Sequence, residues 1–288
     1  MQKRTINQII PAQKVNMGGH IIDQPLPTRQ IDNLDPFLLI HHWHNHLPGN
    51  QKPQDVGVGP HPHCGFSPVT FIFEGAVEHR DSLGNRAVVE NGGTQWMFSG
   101  NGITHSERFP KQLVEDGGEL EFIQFWVNAP AKFKNKPPYY QPINQADTPL
   151  VEEEKSKIWL VSGEYKETKG VAPTYSPQLL LRGEIQQNGH LDIPIPESFN
   201  ALIYVLNGNL EIDKKTLVTK DMGILNLDGN NINIKANEDT RFIILSGEPI
   251  NEPIATYGPF VMNDQTELMQ ALKKAQMGKM GVLIEEFD

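Results

Sequence analysis

Glycine and proline place the tightest constraint on this chain. With 25 Gly and 22 Pro in 288 residues, the apolar runs are broken every few positions, which leaves room for short extended segments but hardly any for long helices. Runs such as Val69–Phe73 (VTFIF), Phe122–Val127 (FIQFWV), Leu202–Leu206 (LIYVL) and Arg241–Leu245 (RFIIL) are rich in β-branched and aromatic residues, the composition of strands. Many such strands make a sandwich or barrel, so the expected fold class is all-β. One segment departs from this pattern. Asp264 and Glu267 suit a capped start, Leu268, Leu272 and Ala275 fall on one face, and Gly278 suits a stop, which predicts a short C-terminal helix over about 264–277.

The length allows two domains of ordinary size, and 38% apolar with 21% charged residues is a globular mixture. The run from Asn128 to Pro138 (NAPAKFKNKPP) mixes Pro with Lys, as an exposed connector does, and predicts domains over 1–134 and 139–288. A weak repeat supports a duplication. Phe71–Glu78 (FIFEGAVE) resembles Tyr204–Glu211 (YVLNGNLE) in hairpin pattern and glycine placement. Aligning Gly75 on Gly208 sets His61 and His63 against Pro194 and Pro196, and aligning Gly100 on Gly229 sets His105 and Glu107 against Ile234 and Ala236.

Several function classes are disfavoured by charge and composition. A net charge of -10 repels phosphate backbones and anionic lipid, so direct nucleic-acid binding is not expected. A single cysteine, Cys64, rules out an intramolecular disulfide and a zinc site of paired thiolates, in keeping with a reducing, cytoplasmic setting. The first residues (MQKRTINQIIPAQKV) lack the apolar core of a secretory signal and no stretch approaches a membrane span, so a soluble, unprocessed chain and a monomer are expected.

The chemistry concentrates in two short patterns. In His61-Pro-His63 the flanking prolines favour extension, and residues two apart on an extended chain face one side. Gly100-Asn-Gly-Ile-Thr-His105-Ser-Glu107 repeats the arrangement with a histidine and a carboxylate two apart. Two such strands side by side place His61, His63, His105 and Glu107 around one divalent transition metal ion; unrelated surface histidines are the competing reading. Three imidazoles and a carboxylate suit iron, nickel, copper, manganese or zinc, and leave positions open for a substrate.

The stretches HPHCGFSPVTFIFEGAVEHRDSLGN, QWMFSGNGITHSE, FWVNAPAKFKNKPPYYQ and YGPFVMNDQTELMQALKKAQMGKMG resemble, in order, signatures of the pirin family. The resemblance implies a bicupin, two jelly-roll-like β-barrels with a metal, iron favoured, in the first alone, held by the same four residues. It also implies a quercetinase-like dioxygenase acting on a flavonol or related enolisable substrate, with Glu107 both as ligand and as acceptor of the substrate's hydroxyl proton. A metal- or redox-responsive regulator acting through protein partners is the alternative, and a metal that only staples the barrel is a third. Two positions depart from the family pattern: Cys64 and Asn101 stand where the family has arginine, so two cations near the ion are missing.

Other polar groups are weighed and set aside. His42, His44 and His46 share a face if their segment is a strand, and read as solvent-facing or channel imidazoles rather than a second metal site. Cys64 points away from its ligand neighbour as a small buried hydrophobe, and Ser106 lacks any nucleophile-elbow context. Glu152–Glu154 is a solvated charge run.

Overall fold

The computed structural model describes residues 2–17 and 19–287. Its contacts divide the chain into two compact units, Met1–His41 with Ala146–Ile250 and His42–Gln145 with Asn251–Asp288. This differs from a single cut between residues 134 and 139, and strand pairing is the reason. Ile6–Pro11, at the start of the chain, pairs antiparallel with Asp221–Leu225, and Tyr139–Ile143 pairs with Thr94–Phe98. Among the described residues no helix is long and apolar enough to cross a membrane.

The unit that begins at His42 is built on strands β1 (Phe37–Leu47, from His42 onward), β2 (Val58–His63), β3 (Phe66–Glu74), β4 (Ala76–Asp81), β5 (Arg86–Glu90), β6 (Thr94–Phe98), β7 (Ile103–Arg108) and β8 (Gly118–Asn128). They form two sheets, ordered β6-β3-β8-β1 and β2-β7-β4-β5. The other unit repeats this with β9 (Gln178–Ile185), β10 (His190–Pro194), β11 (Asn200–Asn207), β12 (Asn209–Ile212), β13 (Lys215–Val218), β14 (Asp221–Leu225), β15 (Asn231–Ala236) and β16 (Thr240–Gly247). Its sheets run β14-β11-β16-β9 and β10-β15-β12-β13, the same order eight strands later. Each set is a jelly-roll barrel of the cupin type, so the all-β bicupin architecture holds.

The glycines of the repeat serve as corners rather than hairpin turns. Gly75 joins β3 to β4, and Gly208 joins β11 to β12, each pair lying in different sheets. Both glycines have positive φ, +73° and +98°, and a Cβ would come within 2.7 Å of Glu119 O in one and 2.3 Å of Thr240 Oγ1 in the other. Only glycine accepts that crowding together with that backbone.

Strand pairing also corrects the alignment of the two barrels. Glu78 lies opposite Arg108 as Glu211 lies opposite Lys235, and His61 lies opposite His105 as Ile193 lies opposite Ile232. The positions matching His61, His63, His105 and Glu107 are therefore Ile193, Ile195, Ile232 and Ile234. None of the four isoleucines is more than 1% exposed, and all belong to one apolar cluster drawn from both sheets. Pro194 and Pro196, by contrast, are exposed. The loops before the strands differ in length between the repeats, and a slip of one residue turns a side chain to the other face of a sheet.

The C-terminal helix spans Gln265–Gln276, with Asp264 as its N-cap accepting from the Glu267 amide at 2.8 Å. Glu267 Oε2 accepts in turn from the Asn263 amide at 3.0 Å. Leu268 and Ala271 are buried against Cys64, Phe260, Met262 and Met280, with Leu272 and Ala275 packed alongside. The helix thus belongs to the unit that holds β1–β8.

The Pro/Lys run is exposed at Ala131, Lys132, Asn135, Lys136 and Pro137 but anchored between them. Within it lies the short helix Ala131–Lys134, and Lys134 is 1% exposed. Its ammonium donates to Asn128 Oδ1 and to the Val261 carbonyl, both at 2.8 Å. Lysine at this spot is a tie between segments, a role its composition does not reveal. Burial pushes the ammonium down to about 8. A folded-state value below the unfolded one means that the unfolded chain binds the extra proton between the two, so this group's contribution to stability rises with pH from about 8 to about 10.4. Urea titrations across that window should show the wild type gaining up to ~3 kcal/mol relative to K134M; parallel pH dependences in the two proteins would contradict this.

Candidate metal centre

Strand β7 occupies the middle of its sheet, between β2 and β4. His105 on it faces His61 of β2 on one side and Asp81 of β4 on the other. Antiparallel neighbours on one face lie about 5 Å apart, so the ladder itself gathers the imidazoles. Pro60 and Pro62 keep β2 extended, and His61 and His63 emerge on the same side. The Nε2 atoms of His61 and His63 approach to 3.0 Å, and those of His61 and His105 to 3.1 Å. These three histidines offer nitrogens that all lie within 4.8 Å of one another.

The opposite nitrogens are tied back. His61 Nδ1 donates to the Gly59 carbonyl at 2.9 Å, and His63 Nδ1 to the Pro259 carbonyl at 3.3 Å. His105 Nδ1 meets His79 Nδ1 at 3.4 Å, and His79 Nε2 meets Asp81 Oδ2 at 2.9 Å. With protons on Nδ1, the Nε2 lone pairs of all three rings point at one another, an arrangement that repels unless a cation sits among them. Burial, followed by the mutual influence of the rings, holds His63 and His105 well below the usual imidazole range. Both are therefore neutral near pH 7, the form that binds metal. Asp81 stays in its carboxylate form: burial opposes ionisation, but hydrogen bonds from His79 and Asn85 outweigh it and lower its pKa.

Glu107 is arranged differently from the triad. It follows His105 by two residues on β7, and the pairing with β2 slips by one residue between them. Its carboxylate is outside the group of nitrogens that converge, and its Oε1 accepts from Gln124 Nε2 at 2.7 Å. Trp126 Nε1 donates onward to Gln124 Oε1 at 3.4 Å. The structure thus gathers His61, His63 and His105, and holds Glu107 beside them on a separate tether. Aromatic rings wall one side: Phe66 and Trp126 stand 5.1 and 5.5 Å from the His63 ring, and 4.3 Å from each other.

Four neighbours escaped the sequence reading, namely His79, Asp81, Gln124 and Tyr140. His79 and Asp81 carried a faint signal as a second His-x-Asp pair on an extended segment. Gln124 and Tyr140 carried none, since only the sheet order brings their strands to the site. The Tyr140 ring stacks on His79 at 3.7 Å, 4° from parallel, with its hydroxyl buried and lacking a hydrogen-bond partner.

His42, expected as a solvent-facing or channel imidazole, is fully buried and bonded to Glu121 Oε1 at 3.0 Å. His44 and His46 are more exposed, with Glu121 and Glu119 carboxylates at 3.7 and 2.7 Å. Cys64 lies 3% exposed in the cluster under the C-terminal helix, and its Sγ donates to the Gly100 carbonyl at 3.3 Å.

The family model described as pirin matches residues 19–127, and that of the pirin C-terminal cupin domain matches residues 180–281. A pirin-like protein of Solanum lycopersicum is 32% identical over 283 residues, 96% of this chain and 93% of that protein. The chain belongs to the pirin family. A crystal structure of quercetin 2,3-dioxygenase from Acinetobacter baumannii superposes with a TM-score of 0.92 at 33% identity, covering 98% of this chain and 100% of that one. A bacterial pirin from Escherichia coli in complex with nickel(II) has a TM-score of 0.66 at 21% identity, over 84% of this chain and 99% of that one, a likeness of fold.

In this pirin chain the thiol of Cys64 is shielded both sterically and by protonation, since burial raises it to about 11. Alkylation by iodoacetamide at pH 8 should run at least ~100-fold slower in the native protein than in urea, because the thiolate is the nucleophile. Equal rates would show that Cys64 is open to solvent.

Proposed function

We propose that this chain is a metal-dependent dioxygenase whose single divalent transition ion is held by His61, His63, His105 and Glu107, and whose substrate is a flavonol or a related enolisable compound. The observation that carries the reading is the convergence of three imidazoles, His61 half-buried and His63 and His105 buried, joined to 33% identity with a quercetin 2,3-dioxygenase over nearly the whole chain. Three imidazole nitrogens and a carboxylate suit iron, nickel, copper, manganese or zinc.

A bound ion of this kind would lower the pKa of the substrate's enolic hydroxyl and hold dioxygen beside it. The protein's own groups do the rest. Glu107, as carboxylate, takes the hydroxyl proton, leaving an electron-rich enolate open to oxygen and ring cleavage. Gln124 donates to Oε1 of Glu107 at 2.7 Å, which fixes the orientation of the carboxylate that serves as both ligand and proton acceptor. Phe66 and Trp126 supply an apolar wall for a flat aromatic substrate and exclude water from the open side.

Protein purified without chelator or affinity metal should carry close to one equivalent of a first-row transition metal by elemental mass spectrometry, and H61A and H105A should lose it. The loaded protein should bleach flavonol absorbance only in the presence of oxygen. E107Q should retain part of the metal and slow bleaching by ~10²-fold or more, the usual range for loss of a general base. A metal-loaded wild type that leaves every flavonol unchanged would overturn the dioxygenase reading.

A further inference from the structure

We propose that His79 and Asp81 form an anionic relay that acts on the bound metal through His105, making His105 the most electron-rich of the three imidazole ligands. The inference deepens the metal reading above and rests on it. The three ligands are not supported alike. His61 and His63 each give their Nδ1 proton to a neutral backbone carbonyl, whereas His105 faces a second imidazole backed by a carboxylate.

Only one set of tautomers satisfies that chain. Asp81 Oδ2 accepts, so the proton of His79 sits on Nε2 and its Nδ1 is an acceptor. His105 keeps Nε2 bare for metal, so its proton sits on Nδ1 and points at His79 Nδ1, 3.4 Å away. Each link polarises the next in the same direction, drawing His105 towards imidazolate. The relay is also held rigid. Tyr140 stacks flat on His79, and Asp81 Oδ1 accepts from the Leu83 and Asn85 amides at 2.9 and 3.1 Å.

The fold itself does not require this pair. The two barrels share one ladder, and the position of His79 is filled in the other by Ile212, 1% exposed and part of the apolar core. His79 is no more open, at 1%, and Asp81 is 3% exposed. Burying an imidazole where an isoleucine serves the sister barrel costs stability. The pair occurs in the barrel that has the triad, bonded to one of its ligands.

Two variants test the relay in the full-length protein. D81N keeps an oxygen for the Leu83 and Asn85 amides while removing the charge, and H79F keeps a ring against Tyr140 while removing both nitrogens. Cobalt(II) titration, followed by its d–d absorption, should show binding ~10-fold or more weaker in each, the usual effect of losing a ligand's outer partner. In the iron-loaded protein the Fe(III)/Fe(II) midpoint potential should rise in D81N, because less electron density reaches the oxidised ion. Unchanged affinity and potential in D81N overturn the relay and leave the triad standing. Weakened binding with an unchanged potential in D81N marks His79 and Asp81 as scaffolding and also overturns it. A wild type that fails to bind cobalt overturns the triad and the relay together.

Discussion

The antiparallel ladder through β7 is the constraint on which the rest of this molecule depends. Because β7 lies between β2 and β4, a single position on it, His105, is set opposite His61 on one side and Asp81 on the other. Cross-strand spacing then fixes how far apart the imidazoles can be, and alternation fixes that they share a face. Shifting β2 by one residue would turn His61 and His63 outward and put Pro60 and Pro62 in their place. The three converging histidines, their hydrogen-bonded supports and the aromatic wall all follow from that register.

The sister barrel shows what the same ladder does without ligands. Ile193, Ile195, Ile232 and Ile234 occupy the four corresponding places, and burying such a side chain contributes ~1.5–3 kcal/mol. An apolar barrel is thus filled and stabilised by its own side chains. The barrel with the triad forgoes that stabilisation at these positions and accepts polar burial instead, a trade that the binding free energy of an ion can offset. One scaffold, duplicated, is filled with isoleucines in one barrel and gathers three imidazoles in the other.

Supporting contacts come from distant parts of the chain within the same unit. The Pro259 carbonyl that receives the His63 proton precedes the C-terminal helix by only a few residues, and the Val261 carbonyl there also accepts from Lys134. Cys64, next to His63, packs beneath that helix with Met262 and Leu268. Where the family pattern leads one to expect arginine, the chain thus places a small side chain in the packing of the helix.

The sequence by itself determined the class of the fold and marked the residues of the candidate site. Glycine and proline spacing allowed only short strands, the Asp264 cap and the apolar face of Leu268 marked the one longer helix among the described residues, and two His-x-His/Glu patterns on extended segments marked the candidate ligands, because these signals are local and read along one strand or one turn. Tertiary structure alone decided the rest. It buried Lys134 as a tie within an apparently exposed linker, and gave His42 the carboxylate of Glu121, 79 residues away. It substituted isoleucines for the expected prolines at the ligand-equivalent positions, and brought His79, Asp81, Gln124 and Tyr140 to the triad. Each of these depends on which strand lies beside which and in what register, and that is settled by long-range pairing and loop length, to which a local pattern of residues is blind.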